Sequence, residues 1–198
     1  MTFNELLDII TESNQKRQTF FTEMSLRFDD KEMDILSDTN RNLIFLTDLK
    51  KNGTFQKSEK IGEQAYDLYT YYGGASKCMA FVNEPLVVAL LEFDEVGNNT
   101  IQVSFINQFR KCKSLLSSIY KEFLLKKYKR IISDNVQTLQ AYNFYRNFVI
   151  FNDGSYRVLI RDDKNDTEYP VDNVEDMDKT FGHLKEHHDK RYIIERNS

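Results

Sequence analysis

Apolar residues recur at Phe3, Leu6, Leu7 and Ile10 and again at Phe20, Phe21 and Met24, with a polar stretch between, which predicts one long or two short helices at the start of the chain. The segment "NLIFLTDLKKNG" reads as a strand closed by the Asn52-Gly53 turn signal, and "SEKIGEQAYDLYTYY" as a helix stopped by Gly73-Gly74. The middle of the chain is rich in strand formers: "SKCMAFV", a turn at Asn83-Glu84, "LVVALLEF", a turn at Gly97-Asn98-Asn99, then "TIQVSFI". Adjacent strands joined by turns this tight form an antiparallel meander.

Leu115, Ile119 and Phe123, beside Leu116, Tyr120 and Leu124, make two i, i+4 rows and predict an amphipathic helix of about four turns. "KRIIS" follows as a short strand. Ser133 and Asp134 are good N-terminal caps for a second helix, "NVQTLQAYNFYRNF". The Asn152-Asp153-Gly154 turn between "FVIF" and "YRVLI" predicts a hairpin. "RDDKNDTEYPVDNVEDMDK" is polar and acidic, a surface loop, and "RYIIE" is a final strand.

The central order is strand, strand, strand, helix, strand, helix, strand. It defines an α/β class with a mixed, mainly antiparallel sheet flanked by helices, since a strand-helix-strand crossover makes its two strands parallel. The domain division expected from the pattern is a helical segment at 1–30, an α/β domain at 31–151, and a hairpin with an acidic extension at 152–198 beside the same domain.

Composition narrows the function. The chain has 198 residues, enough for one domain with additions or two small ones, and its 40% hydrophobic content can fill a core. No apolar run approaches the roughly 20 residues that cross a bilayer, and "MTFNELLDII" is acidic where a secretory signal is basic, so a soluble, cytoplasmic protein without a membrane partner is expected. Cys78 and Cys112 lack metal-site or disulfide spacing and are expected to be free thiols.

A net charge of -4 argues against a dedicated nucleic-acid binder. Charge is nonetheless uneven, basic across 110–130 and acidic across 162–178, the pattern of two solvated faces that attract weakly. His183 and His187 stand four apart, but no HExxH accompanies them, and with His188 they read as surface residues, so no metal is expected. No GxSxG, Walker loop or paired Cys–His signature occurs.

Across residues 76–151 the chain resembles the Gcn5-related N-acetyltransferases, the GNAT fold family. "FVNEPLVVALLEF" is similar to that family's substrate-side hairpin, "FINQFRKCKSLLSSIYKEFL" to its acyl-CoA signature, and "AYNFYRNFVIF" to its late helix ending in aromatic residues. The resemblance implies an acetyl-CoA site in which Phe105 and Asn107 offer backbone groups to the pantetheine arm, while Gln108, Arg110, Lys111, Lys113 and Ser114 surround the pyrophosphate. It also implies Tyr145 as the general acid that protonates the departing thiolate, and Glu92 as the base for a primary amine, with Asp94 a weaker substitute.

In this family glycines let the phosphate approach the backbone at a helix N-terminus. If Gln108 begins the motif, the glycine positions hold Lys111 and Lys113; if Arg110 begins it, they hold Lys113 and Leu115. "IISDNVQTLQAYNFYRNF" further resembles GNAT-related proteins of tailed bacteriophages, through Ser133, Asp134, Gln137 and Thr138. Together these features imply a non-catalytic or cofactor-degenerate GNAT-like protein of a phage, in the host cytoplasm or the virion, with a phage or host protein as its partner. The alternative they imply is an acetyl-CoA-dependent N-acetyltransferase acting on a primary amine.

Overall fold

The computed structural model describes residues 39–73, 76–109, 114–135, 139–181 and 189–197, together with Leu36 and Cys112. The expected N-terminal helices, the three histidines, and Arg110, Lys111 and Lys113 lie outside the described residues. The chain divides into two compact units, residues 1–92 with 106–113, and residues 93–105 with 114–198.

In the first unit, α1 (Thr39–Asn52) replaces the strand expected over "NLIFLTDLKKNG". Asn42, Phe45, Leu46 and Leu49 are its buried residues, at i, i+3, i+4 and i+7, while Leu43 and Ile44 are exposed. The apolar run of four hides a helical stripe that continues to Leu49, and that stripe decides the element. Gly53 ends the helix, donating its N–H to the Leu49 carbonyl at 2.7 Å.

The helix expected over "SEKIGEQAYDLYTYY" is instead a hairpin, β1 (Thr54–Ile61) with β2 (Gln64–Gly73). Gly62, at φ +62, makes the turn, a conformation that costs glycine little. Tyr66 and Leu68 are buried two residues apart, the period of a strand. The pairing slips between Phe55 and Lys57, a bulge at Gln56. β3 (Ser76–Asn83) pairs antiparallel with β2, and β4 (Leu86–Gly97) comes next, giving the order β1-β2-β3-β4.

Asn42 ties α1 into this unit. Its amide Nδ2 donates to the Leu36 carbonyl at 3.0 Å and the Val87 carbonyl at 2.8 Å, and its Oδ1 accepts the Val87 N–H at 2.8 Å.

The second unit contains the end of β4 and most of β5 (Thr100–Gln108), followed by a continuous helix, α2, built from Leu115–Ser118, a π-helical segment Ile119–Leu124, and Leu125–Lys127. Then come β6 (Arg130–Ser133), α3 (Leu139–Ile150), β7 (Tyr156–Asp162), β8 (Thr167–Pro170), α4 (Val174–Phe181) and β9 (Lys190–Arg196). The strand order in this unit is β4-β5-β6-β9-β7-β8. β5 and β6 are parallel, from Thr100 opposite Arg130 to Val103 opposite Ser133, as the crossover through α2 requires. β9 lies antiparallel between β6 and β7. The architecture is therefore a mixed α/β fold, mainly antiparallel, with helices packed on the strands.

Two further expectations are corrected here. "FVIF" belongs largely to α3, because Tyr145, Phe148 and Val149 bury at i, i+3 and i+4 and carry the helix on to Ile150. The hairpin is β7, over the expected strand "YRVLI", with β8, and β8 falls inside the segment expected to be a surface loop. α4 lies there too: Asn173 caps it, accepting the Asp176 N–H at 2.9 Å while its own amide donates to the Asp176 carboxylate at 2.7 Å. The weak attraction expected between basic and acidic segments takes the form of an ion pair, Arg130 to Glu168 at 2.7 Å.

Candidate functional site

Tyr145 is set by α3, whose buried face carries Tyr145 and Phe148 toward α2, β7 and β9. Only 4% of its surface is exposed. Its ring stacks on Tyr192 of β9, with centroids 4.6 Å apart and planes 20° from parallel, and meets Phe144 edge-on at 5.1 Å. Tyr120, in the π-helical segment of α2, packs edge-on against Phe144 at 5.0 Å and tilted against Phe148 at 5.7 Å.

Burial pushes the Tyr145 phenol up to about 12; Tyr120 pulls slightly the other way as a donor, and the charge of Asp134 adds to the rise. Burial also lifts Tyr120 and Tyr192 well above their ordinary values. The Tyr120 hydroxyl has no partner of ordinary hydrogen-bond geometry, so its interaction with Tyr145 is the longer, weaker kind. Beside this cluster the buried Ser133 Oγ accepts the Tyr192 N–H at 2.9 Å and donates to the Asp134 carbonyl at 2.8 Å. Ser133 thus joins the end of β6 to β9.

Glu92 is half-buried on β4 in the first unit, and Asp94, two residues on, is exposed in the second. Glu92 lies within electrostatic reach of Tyr71, whose phenol is raised well above its ordinary value first by burial, then by Cys78, then by Glu92. Cys78 is the cross-strand partner of Tyr71. Tyr71, Cys78, Tyr120 and Tyr192 are neighbours of these candidates that the sequence does not mark as site residues. The tyrosine-rich "YDLYTYY" carried a signal for the first pair, but its period was read as helical.

Phe105, Asn107 and Gln108 lie on β5 beyond Val103, the last residue of the β6 register. Phe109 donates its N–H to the Val88 carbonyl at 2.9 Å, and Cys112 donates its N–H to the Phe109 carbonyl at 2.8 Å. Ser114 precedes α2 with φ 62, a left-handed conformation that is uncommon for serine. Cys78 and Cys112 are free cysteines, the first buried and the second half-buried, and burial raises the Cys112 thiol.

Among the described residues no group of three or more His, Cys, Asp or Glu side chains could hold a metal ion, and no helix is long and apolar enough to cross a membrane.

No family model matches the chain, and no curated protein matches its sequence. Among solved structures it is similar to a GNAT family acetyltransferase from Elizabethkingia anophelis with acetyl-CoA bound, at 12% identity over 63% of this chain and 77% of that one, with a TM-score of 0.34. A likeness this loose carries no argument about residues or ligand. The class rests on the strand order itself: a mixed α/β protein whose parallel pair, β5 and β6, is set among antiparallel neighbours.

Proposed function

We propose that the chain is a GNAT-like protein that acts by binding a protein partner and not by acetyl transfer. The packing of Tyr145 carries this reading. A general acid must reach the sulfur that develops charge in the transition state, whereas Tyr145 is sealed, stacked on Tyr192, and raised to about 12. It serves as a core aromatic. The lack of glycine in the segment from Gln108 to Ser114 supports the same reading, since any residue with a side chain needs the space that glycine would leave open to a phosphate. The partner would be a protein of a phage or of its host, as the likeness of the stretch from Ser133 to Thr138 to phage proteins implies.

One observation favours a second reading, an acetyl-CoA-dependent transferase with a primary amine as acceptor. β5 runs from Ser104 to Gln108 past the end of its register with β6, and a pantetheine arm pairs with the backbone of such a strand.

Calorimetric titration with acetyl-CoA and an assay of thiol release with simple primary amines separate the two. The binding reading expects no thiol release above the uncatalysed rate, in the native protein and in Tyr145→Phe alike. Release that Tyr145→Phe abolishes while cofactor affinity stays the same would overturn it.

A further inference from the structure

β1 ends the strand order of the first unit and β8 ends that of the second, and the two edges differ in kind. β8 has four residues, finishes in Pro170, and is overlaid by ion pairs from Glu168 to Arg130 at 2.7 Å and to Arg161 at 3.5 Å. Short length, proline and charge are the usual devices that keep an edge from pairing. β1 has eight residues, and the six from Thr54 to Glu59 are exposed or half-buried. Among the described residues, β2 is the strand paired with it.

The sequence of β1, "TFQKSEKI", carries an order of charge that is self-complementary when reversed. Lys57 and Glu59 lie on one face, two residues apart, and their side chains pair at 2.6 Å. In an antiparallel pair of two such strands centred on Ser58, Lys57 of each copy stands opposite Glu59 of the other. The two intrastrand pairs then become a closed ring of four alternating charges. A slip of one residue sets Lys57 opposite Lys60 in one direction and opposite Ser58, with no charge pair, in the other; a slip of two sets Glu59 opposite Glu59 or Lys57 opposite Lys57. Opposite charges directly across a ladder stabilise and like charges destabilise, so charge selects the Ser58 register against its neighbours.

We infer that β1 is a self-association edge, on which a second copy of this chain adds its own β1 antiparallel about a two-fold axis through Ser58. The contact is isologous, with the same strand on both sides, so it closes at a dimer. The bulge at Gln56 limits the regular ladder to the residues after it. Such a contact buries less than a standard interface and forms a weak dimer, seen at high protein concentration. This inference is independent of whether acetyl-CoA binds.

The test is sedimentation of the full chain over a concentration series, with Lys57→Glu, Glu59→Lys and the double replacement. Each single change turns two attractive cross-strand contacts into repulsive ones, and should weaken self-association roughly 10- to 100-fold. The double change restores complementarity with the signs exchanged and should recover the dimer. Circular dichroism confirms that the variants fold. A native chain that is monomeric over its whole soluble range overturns the inference, as do single variants that associate like the native chain or a double variant as weak as the singles. Amide exchange on the native chain gives an independent reading: exchange in β1 should slow as concentration rises, and rates that do not change would also sink the idea.

Discussion

Replacing Asn42 by alanine tests the tie between α1 and β4. The side chain is fully buried and makes three hydrogen bonds to main-chain groups, donating to Leu36 and Val87 and accepting from Val87. Asn42→Ala removes all three and leaves the Val87 N–H without its acceptor. Three bonds at a net of about 1 kcal/mol each, with about 1–2 kcal/mol more for a desolvated donor left unpaired, put the loss at about 4–5 kcal/mol. That is a large part of the roughly 5–15 kcal/mol that holds a typical domain folded.

Thr47→Ala is the internal control. Thr47 lies on the same helix, and its hydroxyl donates to the Leu43 carbonyl at 2.8 Å on the exposed face. Removing it should cost within about 0.5 kcal/mol. Urea unfolding followed by far-ultraviolet circular dichroism reads both. An Asn42→Ala loss below about 1 kcal/mol would mean that water or a rearranged loop replaces the amide, and the clamp would not be a main support of α1.

Two other outcomes follow from the packing. A Cβ at Gly53 would lie 2.6 Å from the Leu49 carbonyl oxygen and 2.9 Å from its Cδ1, so Gly53→Ala should destabilise by about 1–3 kcal/mol; an unchanged melting temperature would refute the contact. Tyr145 and Tyr156 have folded pKa values of about 12 against an ordinary 10.0, so the unfolded chain releases these protons first as pH rises. Their contribution to stability is full below about pH 10 and is lost as pH climbs through about 12. Tyrosinate absorbance from these two should therefore appear together with loss of near-ultraviolet circular dichroism, and complete ionisation near pH 10 with the fold intact would contradict their burial.

The class of the fold was legible where one period ruled a segment. β3, β4, β5, β6 and β9 carry runs of strand-forming residues between clear turns, and α2 carries two rows at helical spacing. Reading failed where the pattern allowed two periods. Leu43 to Leu46 is consistent with a strand until Leu49 is counted, and Tyr66 to Tyr72 places aromatic residues at intervals that serve either element. α3 and α4 show a second cause. α3 runs through the β-branched residues Val149 and Ile150 because its buried face continues there, and α4 forms in an acidic stretch because Asn173 caps it and Met177 is fully buried. Of the site, the position of Tyr145 on a late helix was readable, but its stack on Tyr192 was not, since these residues meet only through tertiary packing.

The π-helical segment of α2 alters how relatives of this chain should be lined up. Each turn there closes over an additional residue: the Leu125 N–H bonds to the Tyr120 carbonyl, five positions back. One residue advances an ordinary helix by about 100°, so the stretch after Leu124 presents a different side from the one a uniform helix would give. A homologue with a regular helix would be one residue shorter here, and its best alignment would open a single-residue gap inside a helix, a place where gaps are ordinarily penalised. Aligned without that gap, every position on one side of it would be compared with the wrong partner.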